Sequence, residues 1–249
     1  MAQFTIKIYG ERNTGTNYLH QLLEANLNAK LLPGVAPKVI QHIKPSTAFG
    51  EWVRDTYFNF TYTRNLGWKH MLIPPTQELE QIINCLNHLK FITLVKNPYS
   101  WLLSLSRRPY HHHSKSDSLE KFLTQEWRTV GRENAPKNFH SPIEMWNQKN
   151  RAYLELVHYL PGMCIKYEDL LADPQLVVNG ISDSLGIPRN TQFFTNIQAS
   201  TKKDNSNFDR YQDYYLNERW KEKYDENTLA IVSKGLDKSL VAELGYEIL

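Results

Sequence analysis

Apolar and polar positions change period several times along the chain, and the changes mark strands alternating with helices. Residues 4–9 alternate and are rich in β-formers, which predicts a strand. Residues 17–27 place Leu19, Leu22, Leu23 and Leu27 near helical spacing, with good helix formers between them. Residues 90–95 form an apolar run of the kind found in a parallel strand buried on both faces. A helical stretch, 99–107, follows, and Pro98 suits its first turn, where a missing N–H removes no bond. A helix is predicted around 119–128. A longer one over 141–160 would turn Ile143, Trp146, Tyr153, Val157 and Leu160 to the core. Residues 163–167 predict a short strand, Asp173 and Pro174 a helix start with Asp as cap, and 220–246 the closing helices. Residues 33–66 read as irregular. Their aromatics Trp52, Tyr57, Phe58, Phe60 and Tyr62, with Trp68, can stack on a sugar or a phenol. No internal repeat or low-complexity linker interrupts the pattern.

The chemistry concentrates where the first strand meets the first helix. Gly10 to Asn17 reads Gly-Glu-Arg-Asn-Thr-Gly-Thr-Asn, the glycine spacing of a phosphate-binding P-loop. Thr16 and Asn17 stand where a nucleoside triphosphatase carries Lys and Ser/Thr. The lysine reaches the β/γ-phosphates and the hydroxyl holds Mg²⁺, so their absence argues against a Mg-triphosphate site. Backbone N–H groups at the helix start can still cradle a phosphate. At the end of the 90–95 run stands Lys96, with Ser104 eight residues on in the next helix. In an open α/β sheet, ligands bind outside the carboxyl ends of the strands, where a cation and a hydroxyl can hold a second phosphate.

Together these segments resemble the sulfotransferases that use 3′-phosphoadenosine 5′-phosphosulfate (PAPS). That family's 5′ loop has the form G-x-x-[K/R]-S-G-T-T-W-L, and this chain has Gly10-Glu-Arg-Asn-Thr-Gly-Thr-Asn-Tyr-Leu19. The family's R-N-P with a serine eight residues after the arginine is here Lys96-Asn-Pro98 and Ser104. Its Y-E-D-L, D-P and L-G-[I/V] steps are Tyr167-Glu-Asp-Leu170, Asp173-Pro174 and Leu185-Gly-Ile187. The resemblance spans most of the chain. It implies a P-loop-like three-layer fold, with a mostly parallel central sheet and helices on both faces. It also implies metal-independent transfer of a sulfuryl group from PAPS to an acceptor hydroxyl or amine, leaving 3′-phosphoadenosine 5′-phosphate (PAP).

Carried over residue by residue, the donor would meet Arg12, Asn13, Thr14, Gly15, Thr16, Asn17 and Tyr18 on the loop. Lys96, Ser104 and Tyr167 complete the site beyond it, and Lys202 and Lys203 stand where the family often has a basic R-K-G loop. The family's K-x-H-x-P stretch falls on Lys69-His70-Met-Leu-Ile-Pro74, which makes His70 the general base and puts Lys69 at the transferring group. His42, in His42-Ile-Lys-Pro45, is the rival base. Three departures matter. The loop cation falls on Asn13, with Arg12 one residue early; the 3′ arginine is Lys96, which keeps charge but loses the bidentate fork; and Thr-Trp has become Asn17-Tyr18.

Composition fits one α/β domain over residues 1–249, soluble and cytoplasmic. A net charge of +3 suits an anionic donor without demanding nucleic acid. Cys85 and Cys164 lack metal-ligand spacing, and two cysteines make no disulfide scaffold. No secretory signal or membrane span is expected from the sequence. His111, His112 and His113 are consecutive and point different ways, which argues against a metal and for a loop near the site mouth. Two alternatives stand beside the transferase: a P-loop kinase, which the missing Gly-Lys-Ser/Thr argues against, and a binding module that keeps the nucleotide pocket without turnover. The acceptor and the oligomeric state are open at this point.

Overall fold

The computed structural model describes residues 3–44, 47–83, 88–111, 115–190, 193–199 and 207–249. Cys85, His112, His113, Lys202 and Lys203 lie outside the described residues. β1 (Phe4–Tyr9), α1 (Thr16–Asn26) and β2 (Ala29–Leu31) open the chain. Then come a short α2 (Lys38–Gln41), a long α3 (Ala48–Asn65), α4 (Thr76–Ile83), β3 (Leu89–Val95) and α5 (Pro98–Arg107). α6 (Leu119–Thr124), β4 (Trp127–Arg128), a 3₁₀ turn at Gly131–Glu133 and β5 (Asn138–Phe139) lead to α7 (Pro142–Tyr159) and β6 (Gly162–Lys166). α8 (Tyr167–Ala172), α9 (Pro174–Leu185), α10 (Phe208–Leu216), α11 (Glu226–Gly235) and α12 (Lys238–Glu243) complete it.

The main sheet is parallel throughout, in the order β2-β1-β3-β6, with Ile8 opposite Ile92 and Ile92 opposite Met163. The two-residue period of the strands divides the core. Ile6, Ile8, Ile92 and Leu94 pack with Leu19, Leu22 and Leu23 of α1 and with Leu102 of α5. Tyr9, Leu89 and Phe91 pack with Leu66 after α3 and with Tyr153 and Leu156 of α7. Helices therefore cover both faces, which is why β3 reads as apolar with little alternation. The chain leaves β1 toward β2 on one side and returns as β3 on the other. The Gly10 loop thus lies at the switch point between β1 and β3, where α/β sheets open a crevice.

Two expectations are corrected. Residues 33–66 are not irregular: α3 fills 48–65, capped by Thr47, whose hydroxyl accepts from the Gly50 N–H at 3.1 Å. Its buried positions are Gly50, Glu51, Phe58 and Asn65, a largely polar set that carries no apolar stripe. The helix expected to 128 stops at Thr124, because Trp127 and Arg128 pair with Phe139 and Asn138 as a two-stranded ribbon.

β1 also fixes the segment that follows α3. Lys7 is fully buried, and its ammonium donates to the carbonyls of Pro33 at 3.2 Å, Asn65 at 2.5 Å and Gly67 at 2.6 Å. These include carbonyls at a helix C-terminus, which lack intrahelical partners and favour a cation. The Tyr9 hydroxyl donates to the Leu66 carbonyl at 2.6 Å. One face of β1 is thus a clamp for residues 65–67, and the chain enters Trp68-Lys69-His70 from a held position.

Candidate active site

The loop between β1 and α1 is shaped by close approach. Gly15 has φ +91°, and a Cβ there would meet the Tyr167 ring at 2.6 Å, so both conformation and space require glycine. At Gly10 a Cβ would meet the Leu94 carbonyl at 2.6 Å. Within the loop, Thr14 donates through its hydroxyl to the Glu11 carbonyl at 2.5 Å, and the Arg12 N–H donates to the Glu11 carboxylate at 2.5 Å. Trp101 donates from its indole to the Arg12 carbonyl at 2.7 Å. The Arg12 guanidinium lies over the Tyr110 ring at 4.5 Å. Asn13 adopts φ +67°, and its buried Nδ2 donates to no group.

Lys69 and His70 face this loop. The Lys69 N–H donates to the Gly34 carbonyl at 3.1 Å, and the Lys69 carbonyl accepts from the Gly10 N–H at 2.9 Å. The Lys69 ammonium donates to the Asn17 side-chain oxygen. Burial, and then the Arg12 charge, push its pKa down to about 8. His70 Nδ1 lies 2.5 Å from the Gly10 carbonyl. A carbonyl can only accept, so Nδ1 carries the proton and Nε2 holds the free lone pair. Burial, then Lys69 and Arg12, hold the His70 pKa well below its ordinary value, so the ring is neutral at pH 7. Arg12, Asn13, Thr16, Asn17, Lys69 and His70 share one cavity of about 410 Å³. The rival His42 is exposed at the end of α2, and its Nδ1 meets the Lys38 carbonyl at 2.6 Å.

Lys96 and Ser104 are brought together. Asn97 caps α5 through its side chain with Pro98 in the first turn, which leaves Lys96 at the end of β3. Lys96 Nζ donates to Ser104 Oγ at 3.0 Å and lies 3.5 Å from the Asn13 carbonyl. The Tyr215 ring of α10 covers the ammonium at 3.8 Å, with the Tyr167 ring at 5.0 Å. The lysine is 1% exposed. Burial pushes its pKa down to about 7, against the opposing pull of Glu168. Beside it, Tyr18, Tyr167, Phe208 and Tyr211 line an aromatic slot with Asn13 and Gly15 at its edge. The slot measures about 50 Å³, room for a few waters, so the rings must part to admit a nucleobase.

Several charged residues of the site were not singled out from the sequence. Lys149 of α7 is fully buried and donates to Glu11 at 2.5 Å, Glu133 at 2.6 Å and the His70 carbonyl at 2.8 Å. Beyond it His111 lies 3.2 Å from Glu133 and 3.6 Å from Glu51. Arg132 pairs with Glu51 at 2.6 Å and Asp55 at 2.7 Å. Burial raises the Glu51 pKa, but His111, Arg54 and Arg132 outweigh it and keep the carboxylate ionised. Arg12, Glu51, Arg54, Trp68, His111 and Arg132 line a second cavity of about 570 Å³ that shares Arg12 and Trp68 with the first. His111 therefore has carboxylate neighbours that sequence spacing does not reveal, although the described residues hold no cluster able to bind a metal. Of the aromatics noted in the sequence, Phe58, Tyr62 and Trp68 line cavities, whereas Trp52 and Phe60 are 61% and 85% exposed. No helix among the described residues is long and apolar enough to cross a membrane.

The family profile described as sulfotransferase domain matches residues 6–241. No curated protein matches. Among solved structures, a sulfotransferase domain from the curacin biosynthetic pathway covers 100% of this chain and 99% of its own, at 14% identity and a TM-score of 0.49. A sulfotransferase from Alicyclobacillus acidocaldarius covers 99% and 98%, at 13% identity and 0.44. A mouse sulfotransferase complexed with PAP covers 93% and 89%, at 14% identity and 0.45.

Proposed function

The chain belongs to the sulfotransferase-domain family, and from that premise we propose that it moves a sulfuryl group from PAPS to an acceptor hydroxyl with His70 as general base. The observation that carries the base assignment is the His70 Nδ1 contact with the Gly10 carbonyl, which aims Nε2 away from the loop backbone. The residues present fit the donor. The loop N–H groups and α1 N-terminus suit its 5′ phosphate, Lys96 and Ser104 suit the 3′ phosphate, and the slot between Tyr18 and Tyr167 suits a purine once its rings part.

When bound, the donor supplies the sulfuryl group and carries away the charge that develops on its phosphate. Lys69 and Arg12 face that charge, and Lys69 does so from a buried position, where a fixed cation acts most strongly. Arg12 takes the part of the loop cation missing at Asn13, because it lines both the loop cavity and the next one. Asn13 supplies a neutral donor in its buried Nδ2. His70 Nε2 would receive the acceptor proton as the acceptor oxygen bonds sulfur and the sulfur–oxygen bond to the leaving phosphate breaks, and the Gly10 carbonyl would stabilise the imidazolium through Nδ1–H. Arg12, Asn13, Thr14, Gly15, Thr16, Asn17 and Tyr18 thus surround the donor on one side. Lys96, Ser104 and Tyr167 meet it on the other. The same reading assigns the outlying Lys202 and Lys203 to the 3′-phosphate side, and it places the enzyme in the cytoplasm.

Calorimetry and labelled PAPS test this together. PAP should bind much more tightly than ADP or Mg-ATP. His70→Ala should lower transfer by about 10²–10⁴-fold, the usual contribution of a positioned base, and leave PAP affinity intact. His42→Ala should transfer normally. Tighter binding of Mg-ATP would instead support the kinase reading. PAP binding without turnover on any acceptor would support the binding module.

A further inference from the structure

The acceptor side has a shape and a chemistry of its own. Two cavities follow one another along one face of α3. The first, about 570 Å³, is walled by Glu51, Arg54 and Phe58. The second, about 320 Å³, is walled by Phe58, Asn59 and Tyr62 of the same helix, with Glu78 opposite. Phe58 and Arg132 border both. Positions 51, 54, 58 and 62 recur at helical-turn spacing and so share a face. From Glu51 to Tyr62 the helix rises roughly 16 Å at about 1.5 Å per residue. That is longer than a single phenol ring.

The walls mix charged and apolar surface: Glu51, Arg54 and Arg132 stand with Phe58, Tyr62, Met71 and Pro74, and Asp55 lies behind Arg132. Glu51 is held by Arg54 at 2.8 Å and Arg132 at 2.6 Å. Asp55 accepts from the Gly131 N–H at 2.9 Å and the Arg132 N–H at 3.2 Å. Beyond their mutual ion pairs the Glu51 carboxylate and the Arg54 and Arg132 guanidinium groups keep hydrogen-bonding capacity that water fills, and an apolar acceptor would displace that water without replacing its hydrogen bonds. A row of hydroxyls would replace that water, and Phe58, Tyr62 and Trp68 offer apolar surface to the C–H faces between them. Charge narrows the class further. Arg54 and Arg132 are answered by Glu51, Asp55 and Glu78, so apart from Arg12, which is shared with the donor cavity, the groove has no cation surplus to attract an acidic chain.

We infer that the acceptor is a neutral oligosaccharide of several sugar units, laid along α3 with one hydroxyl presented to His70. This rests on the sulfuryl-transfer reading of the same site.

The test uses fluorescently labelled, PAP-loaded protein on an array. The array carries neutral oligosaccharides of increasing length, acidic oligosaccharides, phenols, steroids and hydroxylated lipids. Neutral oligosaccharides should be retained, more strongly as the chain grows beyond a single sugar. Asn59→Trp fills the second cavity from an exposed position. It should weaken the longer chains by about ten-fold or more, equivalent to about 1.4 kcal/mol, and leave single sugars unchanged. Tighter retention of phenols, steroids, lipids or acidic chains overturns the inference, as does retention independent of length or no retention of any neutral glycan. Calorimetry with PAP on the same sample separates the two readings. PAP bound with no neutral glycan retained defeats the acceptor class alone, and glycan retained with no PAP bound defeats the donor assignment alone.

Discussion

Lys149 and Lys96 are both closed from water, at 0% and 1% exposure, and they sit in opposite electrostatic surroundings. Burial pulls the Lys149 ammonium down, but Glu11 and Glu133 outweigh it, and its pKa ends above the ordinary value. Lys96 has a hydroxyl, a carbonyl and aromatic faces as neighbours, and burial takes its pKa down. The first cation is complete within the protein and ties the loop, His70 and the 3₁₀ turn together. The second is incomplete. Glu168 acts on it through space without a direct ion pair, a buried charge so weakly answered is costly, and a phosphate would supply a direct partner. Burial alone therefore does not separate a structural lysine from a ligand-binding one; the neighbours do.

The largest effect that sharpens this contrast is expected at Lys149. Lys149→Ala leaves two buried carboxylates unpaired and should lower stability by about 3–5 kcal/mol, as when one partner of a buried pair is removed. Urea unfolding measures it. A loss below about 1 kcal/mol would break the comparison, because an exposed ion pair contributes as little. Adding Glu11→Gln and Glu133→Gln to the variant should recover part of the loss.

Next in size is Lys96→Met. Without ligand it should unfold at nearly the same urea concentration as the wild type, since it removes a desolvated charge together with the cation that faces Glu168. It should also weaken PAP by about ten-fold or more, the effect of losing a charge-assisted hydrogen bond worth about 1.5–3 kcal/mol. Adenosine 5′-phosphosulfate, which lacks the 3′ phosphate, should bind it nearly as well as it binds wild type. Equal weakening of both ligands would make Lys96 structural.

A smaller effect appears in the pH dependence of PAP binding. A bound phosphate raises the Lys96 pKa above its free value of about 7. The contribution is then complete below pH 7 and is lost as pH rises through the bound-state value. Calorimetry in buffers of different ionisation enthalpy at pH 8 should report proton uptake on binding, absent in Lys96→Met. A further effect is on stability in the absence of ligand. The Lys96 pKa is lowered on folding, so between pH 7 and its unfolded value near 10.5 the unfolded chain binds more protons. Lys96 therefore adds stability as pH rises through that window. Wild type should gain on Lys96→Met between pH 7 and 10 in urea melts, and a constant difference would remove the protonation argument.

The glycine loop and the Lys96–Ser104 pair were legible in the sequence because their parts are local. Strand, glycine loop and helix are contiguous, and the Lys96–Ser104 spacing is about two turns, with the helix begun by Asn97 and Pro98. The cavities along α3 were not. α3 turns Glu51, Arg54 and Asp55 toward Arg132 and His111, so its inner face carries charge where a hydrophobic pattern would have announced a helix. Lys149 is 138 positions from Glu11, and its burial shows in no periodicity. Lys7 shows no local sign of its role either: it is one polar position of a short strand, and its ammonium closes the end of a helix. The only local sign was Glu11 itself, a carboxylate inside a loop expected to face an anion.

The Tyr215 ring over Lys96 has a consequence for life among the small anions of a cell. A desolvated cation–π contact is worth about 2 kcal/mol or more, close to a thirty-fold handicap for any occupant that displaces it. Chloride or inorganic phosphate brings charge but no base to offset that handicap. On the proposed reading a nucleotide also brings a base for the slot beside Tyr18 and Tyr167. The ring would then act as a threshold against background electrolyte and keep the site available to a scarce ligand in a solution crowded with common ones.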